Sequence, residues 1–434
     1  MPFYLIDAFE NPDRPDVLYL FGKAWYRGKW SSCCTLVPNM HRSLLVVPAP
    51  HVFADPSGEL AALEAAAKDA AAAAAAAPAS AGAGAAEEGG GEGGELQAAA
   101  QAARLELLKA LHARAADLKA ELRALLLRQG VRSMRVVPVR RNYAFEDPSV
   151  PHGEQWVLKV RYPAAEPTLM TTLKGEHFRA VFNTRQSLLE ALVLKRRVMG
   201  PGWVLLQAPR IKEGSAMVSW CKLEVELSGP KALLAGKHAG AAELRARRPP
   251  PPLTAAALNL RLHTNPQTQQ PEILAASVVH LAGVSPDSPM PREEWSSPQL
   301  LRNFTVVRKL DGHPWPPGYE ASVAADNASP RGRLNGGSMV VPQPNERALL
   351  GCLLAKLQAL DADVLVGHNI SAFDLSVLLH RLQALKVPLW SRVGRLRRNT
   401  FPKLTGGGHI FGGGASAGLL TCLAGRLLCD TYLS

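Results

Sequence analysis

The sequence is poor in cysteine for its length. Its 434 residues include six cysteines, and no two of them form a Cys-x-x-Cys pair. Structural zinc sites commonly use such pairs, so we expect no zinc site of the usual spacing. Scattered thiols with apolar neighbours are typical of a reducing intracellular compartment, and this pattern argues against a secreted disulfide scaffold.

The chain also lacks long apolar runs, although hydrophobic residues make up 47% of it. Much of this fraction is alanine, and no strongly apolar run reaches the length of about 20 residues that a membrane-spanning helix needs. The first residues contain no basic group and reach Asp7 at once, unlike a secretory signal. We therefore expect no membrane partner.

Acidic residues are scarce in the last part of the chain. After Asp374 there are eight Lys or Arg residues and one acid, Asp430, so this segment carries a net charge of +7, whereas the whole chain carries +12. Clustered cations favour a polyanionic partner such as nucleic acid, because phosphate neutralisation releases condensed counterions. The alternative is a solvated basic face without a partner. The candidate nucleic-acid-binding residues are Arg392, Arg395, Arg397, Arg398 and Lys403.

The first residues show strand patterns separated by turn residues. Apolar and aromatic runs at Phe3–Asp7, Val17–Phe21 and Ala24–Trp30, with turn residues at Asn11–Asp13 and Arg27–Lys29, predict a meander of strands. Further along, the alternation over Val218–Leu227 predicts a half-buried strand.

A low-complexity insertion interrupts these strand patterns. Residues 61–98 are nearly all Ala and Gly, with too little apolar surface to offset the entropy cost of ordering. We predict that their centre, residues 78–94, is disordered. Leucines at helical spacing then predict a helix over residues 97–129. Its leucine stripe either packs onto its own domain or binds a partner helix.

A proline-rich connector at residues 249–253 predicts a domain boundary, since consecutive prolines form a stiff extended segment. It separates an amino-terminal domain, residues 1–248, from a second domain, residues 254–434. The second domain begins with a predicted strand at Leu258–Leu262 and continues through a predicted helix over residues 345–359. Strands followed by helix, strand and helix predict an α/β layered domain after an α+β domain.

The most informative stretch begins with a short apolar run at Val364–Val366. Leu375 resumes the apolar pattern beyond a polar turn, which predicts a strand followed by a helix. Asp374 then lies in the first helical turn, where the helix dipole favours negative charge and a metal or substrate at the strand's carboxyl end is within reach. Asn369 and Phe373 flank it. The alternative is that Asp374 merely caps the helix.

Asn369, Phe373 and Asp374 have the spacing of the second exonuclease motif of family B DNA polymerases. Nearly the whole chain outside the insertion resembles the alpha branch of that family. The resemblance implies an amino-terminal domain followed by a ribonuclease H-like, 3′→5′ exonuclease-like domain, truncated before the thumb and palm. It also rests on the segments Arg141–Glu146, Leu173–Glu176, Gly200–Trp203, Val218–Lys222 and Trp390–Arg398, in this order.

The resemblance also implies that the exonuclease site is degenerate. Active members carry Asp-x-Glu on the first strand of this domain, where this chain has Arg261 and His263. Two-metal phosphodiester hydrolysis needs several carboxylates to hold the ions. A guanidinium repels a divalent cation, and we expect Arg261 to form an ion pair with Asp374. No metal site and no catalytic residue are therefore expected, and the second motif is a remnant.

Neither palm pattern of the family, Asp-x-x-Ser-Leu-Tyr-Pro or Tyr-Gly-Asp-Thr-Asp, occurs in the chain. The resemblance implies an amino-terminal portion of the catalytic subunit that extends RNA primers when nuclear DNA replication begins. Its implied partners are DNA or an RNA-primed template and, in the complete enzyme, primase and accessory subunits. The complete enzyme would use Mg²⁺, whereas this portion needs no cofactor. Alone, we expect it to be inactive both as a polymerase and as an exonuclease.

Two other functions remain possible from the residues alone. The first is that of a working metal-dependent 3′→5′ exonuclease. The second is that of an interaction module acting through the predicted helix over residues 97–129. A glycine-rich run at Gly406–Gly414 has no Lys-Ser or Lys-Thr after it, so it favours a flexible loop over a phosphate-binding loop.

Overall fold

The computed structural model describes residues 1–76, 92–170, 173–236, 238–404 and 416–432. The chain divides into two compact units, which do not follow the predicted domain boundary at residues 249–253. The first unit combines Met1–Pro38 with Leu192–Ser434, and the second is Asn39–Ala191. The connector therefore lies inside the first unit.

The described strands and helices follow in chain order. The strands are β1 (Pro2–Glu10), β2 (Leu18–Tyr26), β3 (Lys29–Val37), β4 (His41–Pro48), β5 (Arg135–Tyr143), β6 (Gly153–Pro163), β7 (Phe178–Phe182), β8 (Gly202–Leu206), β9 (Arg210–Lys212), β10 (Leu223–Glu226), β11 (Leu233–Leu234), β12 (Leu253–Thr264), β13 (Pro271–Val284), β14 (Leu301–Arg308), β15 (Val340–Gln343), β16 (Val364–Gly367) and β17 (Leu427–Asp430). The helices are α1 (Glu59–Ala76), α2 (Glu92–Arg114), α3 (Ala116–Arg128), α4 (Leu188–Arg196), α5 (Ala239–Arg247), α6 (Arg292–Trp295), α7 (Tyr319–Ala328), α8 (Pro330–Leu334), α9 (Glu346–Leu360), α10 (Asp374–Ala384) and α11 (Ala417–Cys422).

One sheet of the first unit has the strand order β11-β8-β1-β2-β3-β10-β9. Strands β1, β2 and β3 pair antiparallel, which confirms the predicted meander. The run Ala24–Trp30 is divided between β2 and β3 by a turn at Arg27–Gly28, which confirms the turn predicted there. Arg27 (φ 49°) and Gly28 (φ 78°) are both left-handed there, as a two-residue hairpin turn requires.

The predicted strand Val218–Leu227 is also shorter in the structure, where only β10 is extended and paired with neighbouring strands. The buried Glu224 carboxylate explains the difference. It accepts hydrogen bonds from the backbone N–H groups of Val218, at 3.0 Å, and Ser219, at 2.8 Å. These bonds turn the preceding segment back onto β10, and alternation of residue types cannot show this.

The other sheet of the first unit has the order β15-β14-β13-β12-β16-β17. Strands β12, β16 and β17 are mutually parallel, and β13 runs antiparallel to β12. Helices α9 and α10 pack their leucines into one core with β12 and β13. The predicted helix over residues 345–359 is confirmed as α9, which Asn345 caps by accepting the Ala348 N–H at 2.9 Å.

The second unit contains an antiparallel sheet in the order β5-β6-β4-β7. The predicted single helix over residues 97–129 is two helices, α2 and α3. Ala115 leaves the helical backbone between them (φ −86°, ψ 13°), although hydrogen bonds on both sides continue the helical pattern. Leu118, Leu122 and Leu126 pack against the sheet, so this part of the leucine stripe packs onto its own unit.

Part of the low-complexity insertion is helical. Most of α1, which begins at Glu59, and the start of α2 lie within residues 61–98, and Leu60 at the start of α1 packs against Leu107 and Leu111. The prediction of disorder is therefore wrong for residues 92–94, while residues 77–91 and Gly406–Gly414 lie outside the described residues. Within the described part of the chain, no helix combines the length and apolar character needed to cross a membrane.

Candidate functional site

Strands β16 and β17 end together at one edge of the six-stranded sheet, beside the middle of the parallel strand β12, which continues to Thr264. Gly367, the last residue of β16, pairs with Asp430, the last residue of β17. Asp374 follows β16 after a short turn and begins α10. The sheet topology therefore places Asp374 and Asp430 at the same edge.

The turn before Asp374 depends on its backbone. Asn369 is left-handed (φ 54°), a conformation that asparagine tolerates better than most residues, and its carbonyl accepts the Phe373 N–H at 3.0 Å. Phe373 is 41% exposed. The first residue of the Asn-Phe-Asp spacing thus shapes the turn, and the second faces solvent.

Asp374 is nearly buried, with 6% of its surface exposed. Its Oδ1 accepts the backbone N–H of Leu260 on β12 at 3.1 Å. Burial raises the pKa of Asp374, hydrogen bonds from the N–H groups of Leu260 and Asp374 oppose this, and the charge of Asp430 raises it further. The net pKa lies above the ordinary value, so the folded protein disfavours the ionised form.

Asp430 is the acid at this edge that the sequence pattern did not single out. Its carboxylate accepts hydrogen bonds from the N–H and hydroxyl of Ser371 and, at 3.1 Å, from the N–H of Tyr432. Burial raises the pKa of Asp430, but these hydrogen bonds outweigh it and hold the pKa below its usual range. Asp430 is therefore the more readily ionised carboxyl group of the two.

The expected ion pair between Arg261 and Asp374 is not among the ion pairs of the described residues. Arg261 is exposed, while its neighbour Leu260 is buried in the core that includes α10. Since strand side chains alternate between faces, Arg261 points away from the face that carries Asp374. In the strand register, His263 lies opposite Glu272 on β13. Across the described ranges, no group of three or more His, Cys, Asp or Glu side chains is placed to hold a metal ion.

Arg395, a predicted nucleic-acid-binding residue, lies inside the protein with 1% of its surface exposed. Its guanidinium bonds Asp361 Oδ1 at 3.0 Å and Asp363 Oδ1 at 2.8 Å. Burial lowers the pKa of Arg395, but these two carboxylates raise it by more. Asp363 also binds Lys23 Nζ at 2.7 Å. The prediction for Arg395 is wrong, because a guanidinium enclosed in this ion network cannot reach a nucleic-acid phosphate.

Arg392 and Arg397 lie against the same aromatic ring. Their guanidinium carbons are 5.1 and 4.6 Å from the ring centroid of Trp220, a range in which cation–π attraction applies. Trp220 is held by its indole N–H, which donates to the Ser391 hydroxyl at 3.3 Å, and the same hydroxyl accepts the Arg398 N–H at 3.2 Å. We call Trp220, Arg392, Arg397 and Arg398 the Trp220 cluster.

The Trp220 cluster carries more positive than negative charge. Among the ion pairs of the described residues, its single carboxylate partner is Asp13, at 3.5 Å from Arg398 Nη2. The Nε atoms of all three arginines and Nη1 of Arg398 are buried without a hydrogen-bond partner. Lys403, the fifth predicted residue, is exposed. The excess of positive charge in this cluster favours an anionic partner.

Comparison with known proteins identifies the family. Residues 179–433 match DNA polymerase family B, exonuclease domain. The chain belongs to DNA polymerase family B. The match begins well before the predicted second domain, and it supports the α/β exonuclease-like fold that the parallel strands and α9 and α10 form. The detail of the amino-terminal domain remains a prediction.

Similarity to family B proteins of the alpha type extends over the whole chain. The DNA polymerase alpha catalytic subunit of Oryza sativa subsp. japonica is 38% identical over 437 residues, which cover 100% of this chain and 26% of that protein. That of Arabidopsis thaliana is 38% identical over 99% of this chain, and that of Xenopus laevis is 30% identical over 100%. The chain thus spans about a quarter of the length of these relatives, and the resemblance to the alpha branch is confirmed.

Within this family B domain, sequence reasoning located Asp374 but missed Asp430 and Trp220. Asp430 lies 56 positions after Asp374 and meets it only through the pairing of β16 and β17. Trp220 precedes the basic segment by 170 positions and meets it through the bridge between Ser219 and Leu396. No pattern in the residues next to Asp430 or Trp220 in the sequence indicates these contacts. Trp220 was nevertheless part of the segment Val218–Lys222 on which the resemblance rests.

Proposed function

We propose that this chain is the template-binding portion of a family B polymerase catalytic subunit of the alpha type. The observation that carries the proposal is the excess positive charge of the Trp220 cluster, whose three guanidinium groups share one carboxylate partner, Asp13, among the ion pairs of the described residues. Guanidinium groups without carboxylate partners bind phosphodiester oxygens in pairs and in any sequence context. The exposed Lys403 belongs to the same basic segment.

The proposed contact is to the nucleic-acid backbone rather than to base edges. Arg392 and Arg397 are oriented by the ring of Trp220, so their donors are held in place before a ligand arrives. Preorganised donors lose less conformational entropy on binding. Each phosphate that the cluster neutralises makes the affinity fall more steeply with salt.

A salt titration tests this role. Binding of a labelled primer–template to the chain is measured between low and moderate salt for the wild type, Arg398→Ala and Arg331→Ala. Arg331 is an exposed arginine on α8, outside the cluster, and serves as the matched control. Log affinity falls linearly with the logarithm of the salt concentration. We expect Arg398→Ala to make this fall shallower, with the magnitude of the slope reduced by about 1. An affinity that hardly depends on salt, or equal slopes for the two variants, would contradict the proposal.

We also propose that the exonuclease-like site does not hydrolyse DNA. Its two acids, Asp374 and Asp430, are already engaged within the protein: Asp374 is buried and accepts the Leu260 N–H, and Asp430 accepts hydrogen bonds from Ser371 and Tyr432. Two-metal hydrolysis needs more carboxylates than this to hold its ions. The resemblance aligns Arg261 and His263 with the Asp-x-Glu carboxylates of active members, so neither position supplies a carboxylate.

The test is incubation of the purified chain with a labelled, mismatched primer and Mg²⁺. We expect no shortening of the primer above that seen with Asp374→Ala. Loss of terminal nucleotides by the wild-type chain that disappears in Asp374→Ala would establish the exonuclease alternative instead.

In the complete enzyme, we propose, these domains hold an RNA-primed template in the nucleus beside primase and accessory subunits. The relatives' name, DNA polymerase alpha catalytic subunit, supports this assignment. Mg²⁺ would serve the polymerase reaction of the complete enzyme. Co-purification of primase with the complete subunit, and its loss when these domains are deleted, would test the scaffolding part of the proposal.

A further inference from the structure

A cleft of the second unit lies between helices α1 and α2, beside strands β5 and β6. Its volume is about 380 Å³. One face of each helix lines it, because Ala67 and Ala71 on α1, and Ala100 and Arg104 on α2, are each one helical turn apart. Trp156 on β6 lines it from the sheet. We call this cavity the α1–α2 cleft.

The walls of the α1–α2 cleft leave room for an apolar side chain. Ala67, Ala71 and Ala100 contribute only methyl groups, while Leu107 and the indole of Trp156 supply larger apolar surfaces. Pockets that bind ligands commonly measure about 300–1,000 Å³. A cavity near the lower end of that range suits one or two side chains of a ligand.

Trp156 is held in place by the protein itself. Its indole N–H donates to the carboxylate of Glu64, which also accepts a hydrogen bond from Arg140 at 2.7 Å. Arg140 lies directly opposite Trp156 in the register of β5 and β6. Glu64 and Arg140 therefore neutralise each other, and the aromatic wall of the cleft is ordered before a ligand arrives.

Two further cations line the cleft, Lys68 on α1 and Arg104 on α2, and both are exposed. Neither belongs to an ion pair among the described residues, and the nearby Glu106 binds Lys109 instead, at 2.8 Å. Asp69 follows Lys68 directly, and residues one position apart do not share a helix face. The two helical walls thus each present a positive charge beside an apolar cavity.

We propose that the α1–α2 cleft binds an acidic peptide segment of a partner protein. An apolar side chain of the peptide enters the cavity, and carboxylates on either side of it bind Lys68 and Arg104. A nucleic-acid strand fits less well, because the Glu64 carboxylate inside the cleft repels phosphates and the alanine methyl groups offer base edges no hydrogen bonds. The site uses no residue of the Trp220 cluster and goes beyond the function proposed above.

A peptide selection tests this proposal. A random phage-displayed library is first depleted on the full chain carrying Arg104→Glu, which removes peptides that bind elsewhere, and is then selected on the wild-type chain. We expect enriched peptides in which Asp or Glu flanks a large apolar residue. No enrichment after depletion, or enriched peptides without acidic residues, would overturn the proposal.

The charge contact is then measured with one enriched peptide, labelled for fluorescence anisotropy. We expect Arg104→Glu to weaken its binding about 10-fold or more, the loss of one hydrogen bond between charged groups. Arg123→Glu is the matched control, since Arg123 is exposed in the middle of α3 and does not line the cleft. Equal affinities for these two variants would contradict the proposed contact.

A second pair of variants tests the cavity without changing charge. Ala100→Leu fills it and should weaken the peptide about 10-fold, because the apolar side chain of the peptide loses its burial site. Ala98→Leu, at an exposed position of the same helix, should bind as the wild type does. Far-UV circular dichroism verifies that both variants keep their helices. If both bind the peptide equally, no side chain enters the cavity.

The nucleic-acid alternative is examined with a labelled oligothymidylate on the same variants. We expect its affinity to be the same for Arg104→Glu and Arg123→Glu. Weaker binding by Arg104→Glu alone would identify a nucleic acid as the occupant and overturn the peptide assignment. The Arg398→Ala test of the Trp220 cluster is independent of all these outcomes.

Discussion

At the scale of single residues, the most consequential charge is that of Asp363. It is fully buried, and its carboxylate accepts hydrogen bonds from Lys23 Nζ at 2.7 Å, Arg395 Nη2 at 2.8 Å and the Thr254 N–H at 2.8 Å. Lys23 lies on β2, whereas Thr254 is the second residue of β12 in the other sheet, so one carboxylate links both sheets of the first unit. Removing its charge would leave two cations buried with fewer partners.

We therefore expect Asp363→Asn to destabilise the protein by about 3–5 kcal/mol, the usual cost of breaking a buried ion pair on one side. Asp311→Asn is the control, because the Asp311 side chain is 81% exposed and 3.7 Å from Arg308; its cost should be about 0–1 kcal/mol. Urea-induced unfolding of each variant measures the difference. Equal midpoints for the two variants would show that the network contributes little.

The two carboxyl groups at the sheet edge should respond to pH with opposite signs. The pKa of Asp374 is raised in the folded protein, chiefly by burial, so its ionisation costs stability as the pH rises above the ordinary carboxyl value of about 3.9. The pKa of Asp430 is lowered, because the Ser371 and Tyr432 hydrogen bonds outweigh burial, so its ionisation contributes stability that is lost as the pH falls.

Accordingly, Asp374→Asn should raise the free energy of unfolding relative to the wild type at pH 7, with a smaller gain near pH 3. Asp430→Asn should lower it at pH 7, with a smaller loss near pH 3. Thermal unfolding at several pH values checks both directions with two variants of the same chemistry. A destabilising Asp374→Asn at pH 7 would refute the assignment of Asp374 as a disfavoured charge.

Residue-level function was the least predictable part of the chain. Arg395 and Arg397 are two positions apart in one basic segment, yet Arg395 is enclosed by Asp361 and Asp363 while Arg397 lies on Trp220. Nothing local distinguishes them, because the carboxylates and the indole come from segments more than 30 positions away. Charge patterning could predict a basic surface but not which guanidinium groups form it.

At the scale of elements, long periodic patterns predicted well because their cause is local. The apolar residues that define helix α9 and strands β12 and β16 follow a regular pattern within each segment, so they can be recognised from the sequence. The errors arose where a distant or side-chain contact decided the backbone. Glu224 turns Val218 and Ser219 back, and Ala115 divides α2 from α3 without interrupting the leucine repeat.

Helix α3 provides a matched pair of leucines, one buried and one exposed, for testing which face of the helix stabilises the second unit. Leu122 is 2% exposed in the core with the antiparallel sheet, whereas Leu127 is 61% exposed on the same helix. We expect Leu122→Ala to destabilise this unit by about 2–5 kcal/mol, the range for truncating a buried leucine. Leu127→Ala should remain within about 0.5 kcal/mol of the wild type. If Leu127→Ala is the more costly variant, the exposed leucines bind a partner and the interaction-module hypothesis regains support.

At the scale of the whole molecule, each compact unit has a hydrophobic core of its own. The core of α9, α10 and the six-stranded sheet belongs to the first unit, and that of α3 and the antiparallel sheet belongs to the second. Units with separate cores commonly unfold in separate cooperative transitions. We therefore expect chemical unfolding of the chain to show two transitions rather than one.

The two destabilising variants assign these transitions. Asp363 belongs to the first unit, so Asp363→Asn should lower the midpoint of one transition. Leu122 belongs to the second unit, so Leu122→Ala should lower the midpoint of the other. In the double variant both shifts should add within about 0.5 kcal/mol, because substitutions in separate cores without shared partners act independently. Tryptophan fluorescence and far-UV circular dichroism along a urea gradient provide the measurement. A single transition that both variants shift together would mean that the units fold as one cooperative body.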